Sequence, residues 1–188
     1  GAIDFETGLK LVQKRGDLMS KAKGGGMAAI IGLNKQAIES VLTEHQLDKI
    51  QIANLNEPNQ TVISGEKEQI LTAQTHFEEA GARRYIPLAV SGAFHSSFMV
   101  NAKQEFAEFI NTINISKPQI PVIANVTAQP VEQNEIKELL IKQIVSSVRW
   151  VESIEYILNQ GETEFEEIGP GKVLSGLIAK IKRQQVLN

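Results

Sequence analysis

The chain has 188 residues, 42% of them hydrophobic and 22% charged, with a formal net charge of −3 and no cysteine. That length gives one good core, or a core with a smaller lobe inserted into it. The absence of cysteine excludes disulfides, thiolate metal sites and a cysteine nucleophile, and the mildly negative charge argues against nucleic acid as a partner. No apolar run is long enough to cross a bilayer and no charged-then-apolar leader is visible, so no membrane is expected and the cytoplasm is the expected address. Gly1-Ala2-Ile3 leads straight into a helical pattern, and the chain is expected to begin in mid-domain.

Asp4 is a candidate N-cap, and Phe5, Leu9, Val12 and Met19 recur at helical spacing, which predicts an amphipathic helix over 4–21. Arg15 follows Leu11 by four and precedes Leu18 by three, on the margin of the apolar stripe. A guanidinium there either lies along the helix surface or takes an anion from the protein or a ligand. Lys23-Gly24-Gly25-Gly26 breaks the helix. Next come an apolar run (27–31), a helix from Asn34 with Ile38, Val41 and Leu42 inward, and two strand-like runs, 51–54 and 61–64. Asn56-Glu57-Pro58-Asn59 joins those runs as a turn cluster. A helix with Ile70, Ala73, Phe77 and Ala80 ends at Gly81, and 84–88 closes a βαββαβ unit, the ferredoxin-like pattern. Asn59 and Gln60 read as turn chemistry, whereas Asn54 and Asn56, at a strand end, serve either the turn or a cleft. His45 and His76 have no second ligand at helical spacing and read as solvated or core-edge residues.

The run Val90-Ser91-Gly92-Ala93-Phe94-His95-Ser96 carries a histidine from a strand-like segment to a helical one. An imidazole at such a junction has a pKa suited to taking and returning a proton, the alternative being a helix-start or core histidine. Ser96 or Ser97 is expected to cap a helix with Ala102, Phe106, Phe109, Ile110 and Ile113 inward. A buried strand is expected over 121–126, then a helix capped by Asn134 with Ile136, Leu140 and Ile144 inward. Gln143 shares that inward face, where a buried amide needs partners, either in packing or in a site. A short helix with Trp150, Ile154, Ile157 and Leu158, a last strand over 164–168, and a Gly169-Pro170-Gly171 turn into a final helix complete the reading. That turn lacks both phosphate-loop patterns and reads as architecture. No serine sits in a Gly-x-Ser-x-Gly elbow. Either there is no covalent catalysis or the nucleophile lies upstream of Gly1.

Five segments carry a resemblance: Lys14-Arg15-Gly16-Asp17-Leu18-Met19, Gly26-Met27-Ala28-Ala29-Ile30-Ile31-Gly32-Leu33, Asn54-x-Asn56-x-Pro58-x-Gln60-x-Val62-Ile63-Ser64-Gly65, Gly92-Ala93-Phe94-His95-Ser96 and Glu167-Ile168-Gly169-Pro170-Gly171-x-Val173-Leu174. In this order they resemble the malonyl-CoA:acyl-carrier-protein transacylases over essentially the whole chain, and are most similar to the free-standing enzymes that load polyketide synthases in trans.

The resemblance implies an α/β fold: the C-terminal part of an α/β-hydrolase-like acyltransferase domain with an inserted ferredoxin-like subdomain. The small subdomain would be 25–90, and 1–24 with 91–188 would be parts of the large one. The family's N-terminal part, with its Gly-His-Ser-Leu-Gly nucleophile segment and oxyanion-hole glutamine, has no counterpart in these residues.

By resemblance, His95 is the general base and Arg15 grips the malonyl carboxylate. Gln143 orients the histidine through its backbone carbonyl, Asn54 and Asn56 face the cleft, and Phe94 crowds out an alpha-methyl branch. The implied reaction is ping-pong transfer of malonyl from malonyl-CoA to the phosphopantetheine thiol of an acyl carrier protein, for polyketide or fatty acid synthesis, with no bound cofactor. Two alternatives stand: an acyl hydrolase clearing carrier proteins, and a non-catalytic carrier-docking fragment. The latter would use Lys21, Lys23, Arg83, Arg84, Lys172, Lys180, Lys182 and Arg183, which otherwise read as a solvated surface.

Overall fold

The structure, a computed structural model, describes residues 1–186. Helix α1 (Phe5–Ser20) starts where the Asp4 carboxylate accepts the Thr7 N–H at 2.7 Å, satisfying one free donor of the first turn. Strands β1 (Gly25–Ile31), β2 (Ile50–Glu57), β3 (Gln60–Glu66) and β4 (Arg84–Pro87) form one antiparallel sheet of order β2-β3-β1-β4. Helix α2 (Lys35–Glu44), capped by the Asn34 side chain, and the short α3 (Lys67–Thr72) and α4 (Gln74–Glu79) complete the βαββαβ order. They bury Ile38, Val41, Ile70 and Phe77 against Ala28, Ile30 and Ile63 of the sheet. This is the ferredoxin-like arrangement that the apolar periodicity predicts.

The second core lies between α1 and α5 (Val100–Asn111), where Leu11, Leu18 and Met19 meet Met99, Ala102, Phe106, Ile110 and Ile144. Helix α6 (Ile136–Gln143) packs beside α5, and α7 (Trp150–Asn159) and α8 (Val173–Gln185) form a third cluster around Ile154, Ile178 and Ile181. No helix of the described residues is long and apolar enough to cross a membrane.

Several expectations need correction. The α1 stripe is only partly as expected: Met19 is buried, together with Leu11 and Leu18 beside Arg15, while Phe5 is 86% exposed and Leu9 and Val12 also face outward. Asn56 lies inside β2, leaving only Pro58-Asn59 as the hairpin turn. Ser96 caps a short 3-10 turn (Ser97–Met99) ahead of α5 rather than α5 itself. Asn134 caps nothing, because a 3-10 turn (Gln133–Glu135) occupies that place and α6 starts without a side-chain cap. Leu140 is 42% exposed rather than buried.

Residues 121–126 make no buried strand. They form one arm of a small bend closed by Ala124 N–H to Gln129 O and Val131 N–H to Val122 O, with Val122 exposed. Residues 164–168 are likewise irregular, and Ile168 is 91% exposed. An apolar run becomes a central strand only when neighbouring strands accept its ladder, and the described residues offer neither run such a neighbour.

Candidate active site

His95 stands on a loop between β4 and the 3-10 turn, with a left-handed φ of 58°. A non-glycine residue holds that conformation only when its surroundings fix it. Several contacts do so. The Ser96 hydroxyl donates to Ala93 O at 2.7 Å and accepts the Phe98 N–H, and Met99 N–H returns to Ser96 O. On the far side Gly25 opens β1 with no side chain: a Cβ there would stand 2.4 Å from Ala93 N. The glycine run that reads in sequence as a helix breaker is also the space into which the histidine loop packs.

The imidazole is fixed from behind. Its Nδ1 lies 2.9 Å from the backbone carbonyl of Gln143 at the end of α6. A carbonyl only accepts, so Nδ1 carries the proton and Nε2 is left with a free lone pair. The Gln143 amide nitrogen, 3.4 Å from the same Nδ1, therefore has no acceptor there and donates instead to Ser146 O at 3.1 Å. Burial lowers the His95 pKa, the Gln143 carbonyl partly offsets this, and the positive charge of Arg15 lowers it further. The ring is thus held neutral and able to accept a proton at Nε2.

His95 lines a cavity of about 460 Å³ that it shares with Arg15, Phe94, Asn54 and Asn56. Met19, Met27, Val62 and Leu88 supply apolar wall. Arg15 reaches it from α1, and burial lowers its pKa. Among the described residues no carboxylate lies within ion-pair distance of its guanidinium. A partly desolvated cation that stays charged and unpaired favours an anion arriving from outside. Asn54 and Asn56 come from β2, whose register shifts twice, between Ile52 and Asn54 and between Leu55 and Glu57. Such bulges twist a strand and re-aim its side chains. Gln143 does not line this cavity; it stands behind the histidine ring and borders a separate, mostly apolar cavity of about 340 Å³.

Five of the six residues singled out from the sequence thus share one cavity, and the sixth holds the histidine. Sequence reasoning missed the space made by Gly25, the two bulges of β2 and the segment 146–148 alongside it. The glycine run was a visible signal for the first. Nothing in the sequence marks the other two.

No cluster of three or more metal-ligating side chains exists among the described residues. The chain is an α/β protein in which an antiparallel βαββαβ layer meets a helical layer, and an imidazole and a guanidinium with no ion-pair partner among the described residues open onto one cleft. The chain belongs to the acyl transferase domain family, whose sequence profile matches residues 1–185. It is 50% identical over 183 residues to the polyketide biosynthesis malonyl CoA-acyl carrier protein transacylase PksC of Bacillus subtilis, covering 97% of this chain and 64% of that protein. The malonyl CoA-acyl carrier protein transacylase of the same organism is 43% identical over 190 residues, covering 98% of this chain and 60% of the relative. Among solved structures, a malonyl CoA-acyl carrier protein transacylase from Burkholderia pseudomallei superposes with a TM-score of 0.93 at 48% identity, covering 98% of this chain and 65% of that one. A malonyl-transacylase in complex with a type II polyketide synthase acyl-carrier protein superposes at 0.92 with 38% identity, covering 97% and 61%. The chain spans less than two thirds of the length of each of these relatives.

Proposed function

We propose that this chain is the larger part of an enzyme that moves a malonyl group from malonyl-CoA to the phosphopantetheine thiol of an acyl carrier protein, in polyketide assembly. The nucleophilic serine is then supplied by the part of the relatives' length that this chain does not match. Residues 25–90 act as the small lobe over the cleft, and 1–24 with 91–188 as part of the large one. The observation that carries the proposal is a carbonyl-held imidazole and, on the same cavity, a guanidinium with no ion-pair partner among the described residues.

In the first half-reaction His95 Nε2 takes the serine hydroxyl proton as the oxygen attacks the thioester carbonyl. The carbon–sulfur bond breaks, and the imidazolium returns the proton to the departing CoA sulfur. In the second half the carrier thiol gives its proton to the same Nε2, its sulfur attacks the serine ester, and the proton returns to the serine oxygen. Gln143 O keeps the tautomer fixed through both halves and stabilises the imidazolium that forms in each.

Arg15 binds the free malonyl carboxylate. Each charge-assisted bond contributes about 1.5–3 kcal/mol, and an acetyl group would leave the cation unpaired in the cleft. Phe94 narrows the space beside the acyl group against an alpha-methyl branch. No step calls for a metal or a bound cofactor. The test is radiolabelled malonyl-CoA with the complete enzyme and a carrier protein bearing phosphopantetheine. Label on the carrier is the expected result. Free malonate without labelled carrier would replace transfer by hydrolysis, and unconsumed malonyl-CoA would leave a docking role.

A further inference from the structure

The partners of the His95–Gln143 hydrogen bond lie 48 residues apart in the chain, and strand β2 is bonded to the segment that follows each of them. It is an edge strand of the sheet, and its outer edge is covered rather than open. Ala53, which the first bulge leaves without a partner on β3, gives its carbonyl to the Val148 N–H at 2.8 Å, and Leu55 N–H returns to Val148 O at 2.9 Å. The Ser147 hydroxyl donates to Ile52 O. Those residues lie four and five positions after Gln143. One position earlier on β2, Gln51 reaches the other partner: its Oε1 accepts the Ser97 N–H at 2.7 Å, two residues after the histidine.

We propose that Gln51 is a positioning residue for His95, and that the outer edge of β2 is the single reference against which the histidine loop and the Gln143 carbonyl are both set. The inference deepens the transferase reading and rests on it for its kinetic consequence. The physical need is plain. A left-handed residue returns to commoner backbone angles unless held. The Ser96 contacts hold the loop only to itself, from Ala93 to Met99. Gly25 gives the loop room on β1 but no hydrogen bond. Gln51 Oε1 is the side-chain hydrogen bond that ties this loop to the same strand that grips 147–148. The arrangement also carries Asn54, between the two residues that pair with Val148, so the cleft amide and the base share one reference.

The consequence is kinetic rather than thermodynamic. Gln51 and Ser97 are both exposed, so their bond adds little to global stability. Its loss lets the imidazole drift from line with the attacking hydroxyl, and small misplacements of a base are costly in rate.

The test compares Gln51→Met and Gln51→Glu in the complete enzyme. Met fills the space without an acceptor, and Glu restores one at the same reach. Gln51→Met is expected to lower kcat for malonyl transfer about tenfold with KM for malonyl-CoA little changed. It should also broaden or shift the His95 Nδ1 proton signal in NMR. Gln51→Glu is expected to recover most of the rate and the signal. Unchanged kcat and an unchanged signal in Gln51→Met, or equal damage in both variants, would overturn the proposal. A wild-type enzyme that transfers no malonyl, with the Nδ1 signal still responding to Gln51→Met, would remove the transferase reading and leave the positioning role standing.

Discussion

The sheet layer and the helical layer solve the burial problem differently. In the βαββαβ layer the face of the sheet that the helices cover is filled from within the layer: Phe77, Ile30, Ile38, Ile63 and Ile70 are all buried within one cluster, while Met27, Ala53 and Val62 on the other face pack with Phe94 at the cleft. In the rest of the chain, helices and irregular segments alike leave large side chains outside. Phe5, Ile120, Ile168 and Val173 are each more than two thirds exposed. The chemistry distributes the opposite way, with His95, Gln143, Arg15 and Phe94 all on the more open part. A finished core supplies rigidity, and the open layer supplies reactive groups, with β2 as the seam between them.

Substitutions can break or sharpen this division. The largest effect belongs to His95. Asparagine tolerates a left-handed backbone but cannot accept the serine proton, so His95→Asn in the complete enzyme should slow acyl-enzyme formation by about 10²–10⁴. Unfolding free energy should move by no more than about 1.5 kcal/mol, the scale of one hydrogen bond. Labelling of the serine at the wild-type rate would show that the chemistry does not reside where the comparison puts it.

Phe77→Ala should do the reverse. Removing a fully buried ring costs about 3–5 kcal/mol, readable as a lower urea midpoint. If the sheet layer lost less stability than the helical layer does on Phe106→Ala, the claim that it is the better-finished core would fail.

Arg15→Ala is expected to cut malonyl transfer by about 10–10² while sparing or raising acetyl transfer, since about 1.5–3 kcal/mol goes with each charge-assisted bond. It also sharpens the electrostatic picture. Burial and Arg15 both lower the His95 pKa, so the acid limb of kcat/KM should fall below the ordinary imidazole midpoint of about 6.5. Loss of the neighbouring cation makes the imidazolium less unfavourable, and the limb should move to higher pH. A limb that stays in place in Arg15→Ala would show that burial alone sets it.

The smallest effect is expected at Phe5. Phe5→Ser in this chain should change unfolding free energy by less than about 0.5 kcal/mol, as for other exposed positions. In the longer protein a cost of 2 kcal/mol or more, the scale of a buried side chain being lost (about 2–5 kcal/mol), would show that further sequence covers this face of α1.

The sequence was sufficient where local pattern and burial agree. The order βαββαβ, the Asp4 cap, the start of a helix at Asn34 and the α5 face with Phe106 and Ile110 are written in spacing that a helix or strand can satisfy with near neighbours. It misled where burial depends on a partner. For α1, periodicity located the helix and the burial of Met19 but also put Phe5, Leu9 and Val12 inward, because α5 covers only the side with Leu11, Leu18 and Met19. At 121–126 and 164–168, apolar composition indicated a wish for burial without indicating a ladder.

The residue types themselves, an imidazole after Phe94 and a guanidinium at a stripe margin, were determined by the sequence, and with them the acid–base and anion-binding repertoire of the cleft. Only the tertiary structure decided that these groups face one cavity, that the Gln143 carbonyl reaches Nδ1 of the ring, and that Nδ1 is therefore the protonated nitrogen. Those facts depend on contacts between segments far apart in the chain, where a shift of one residue in the register of β2 would turn its side chains, Asn54 and Asn56 included, to the other face. Periodicity along a segment carries no information about such a register.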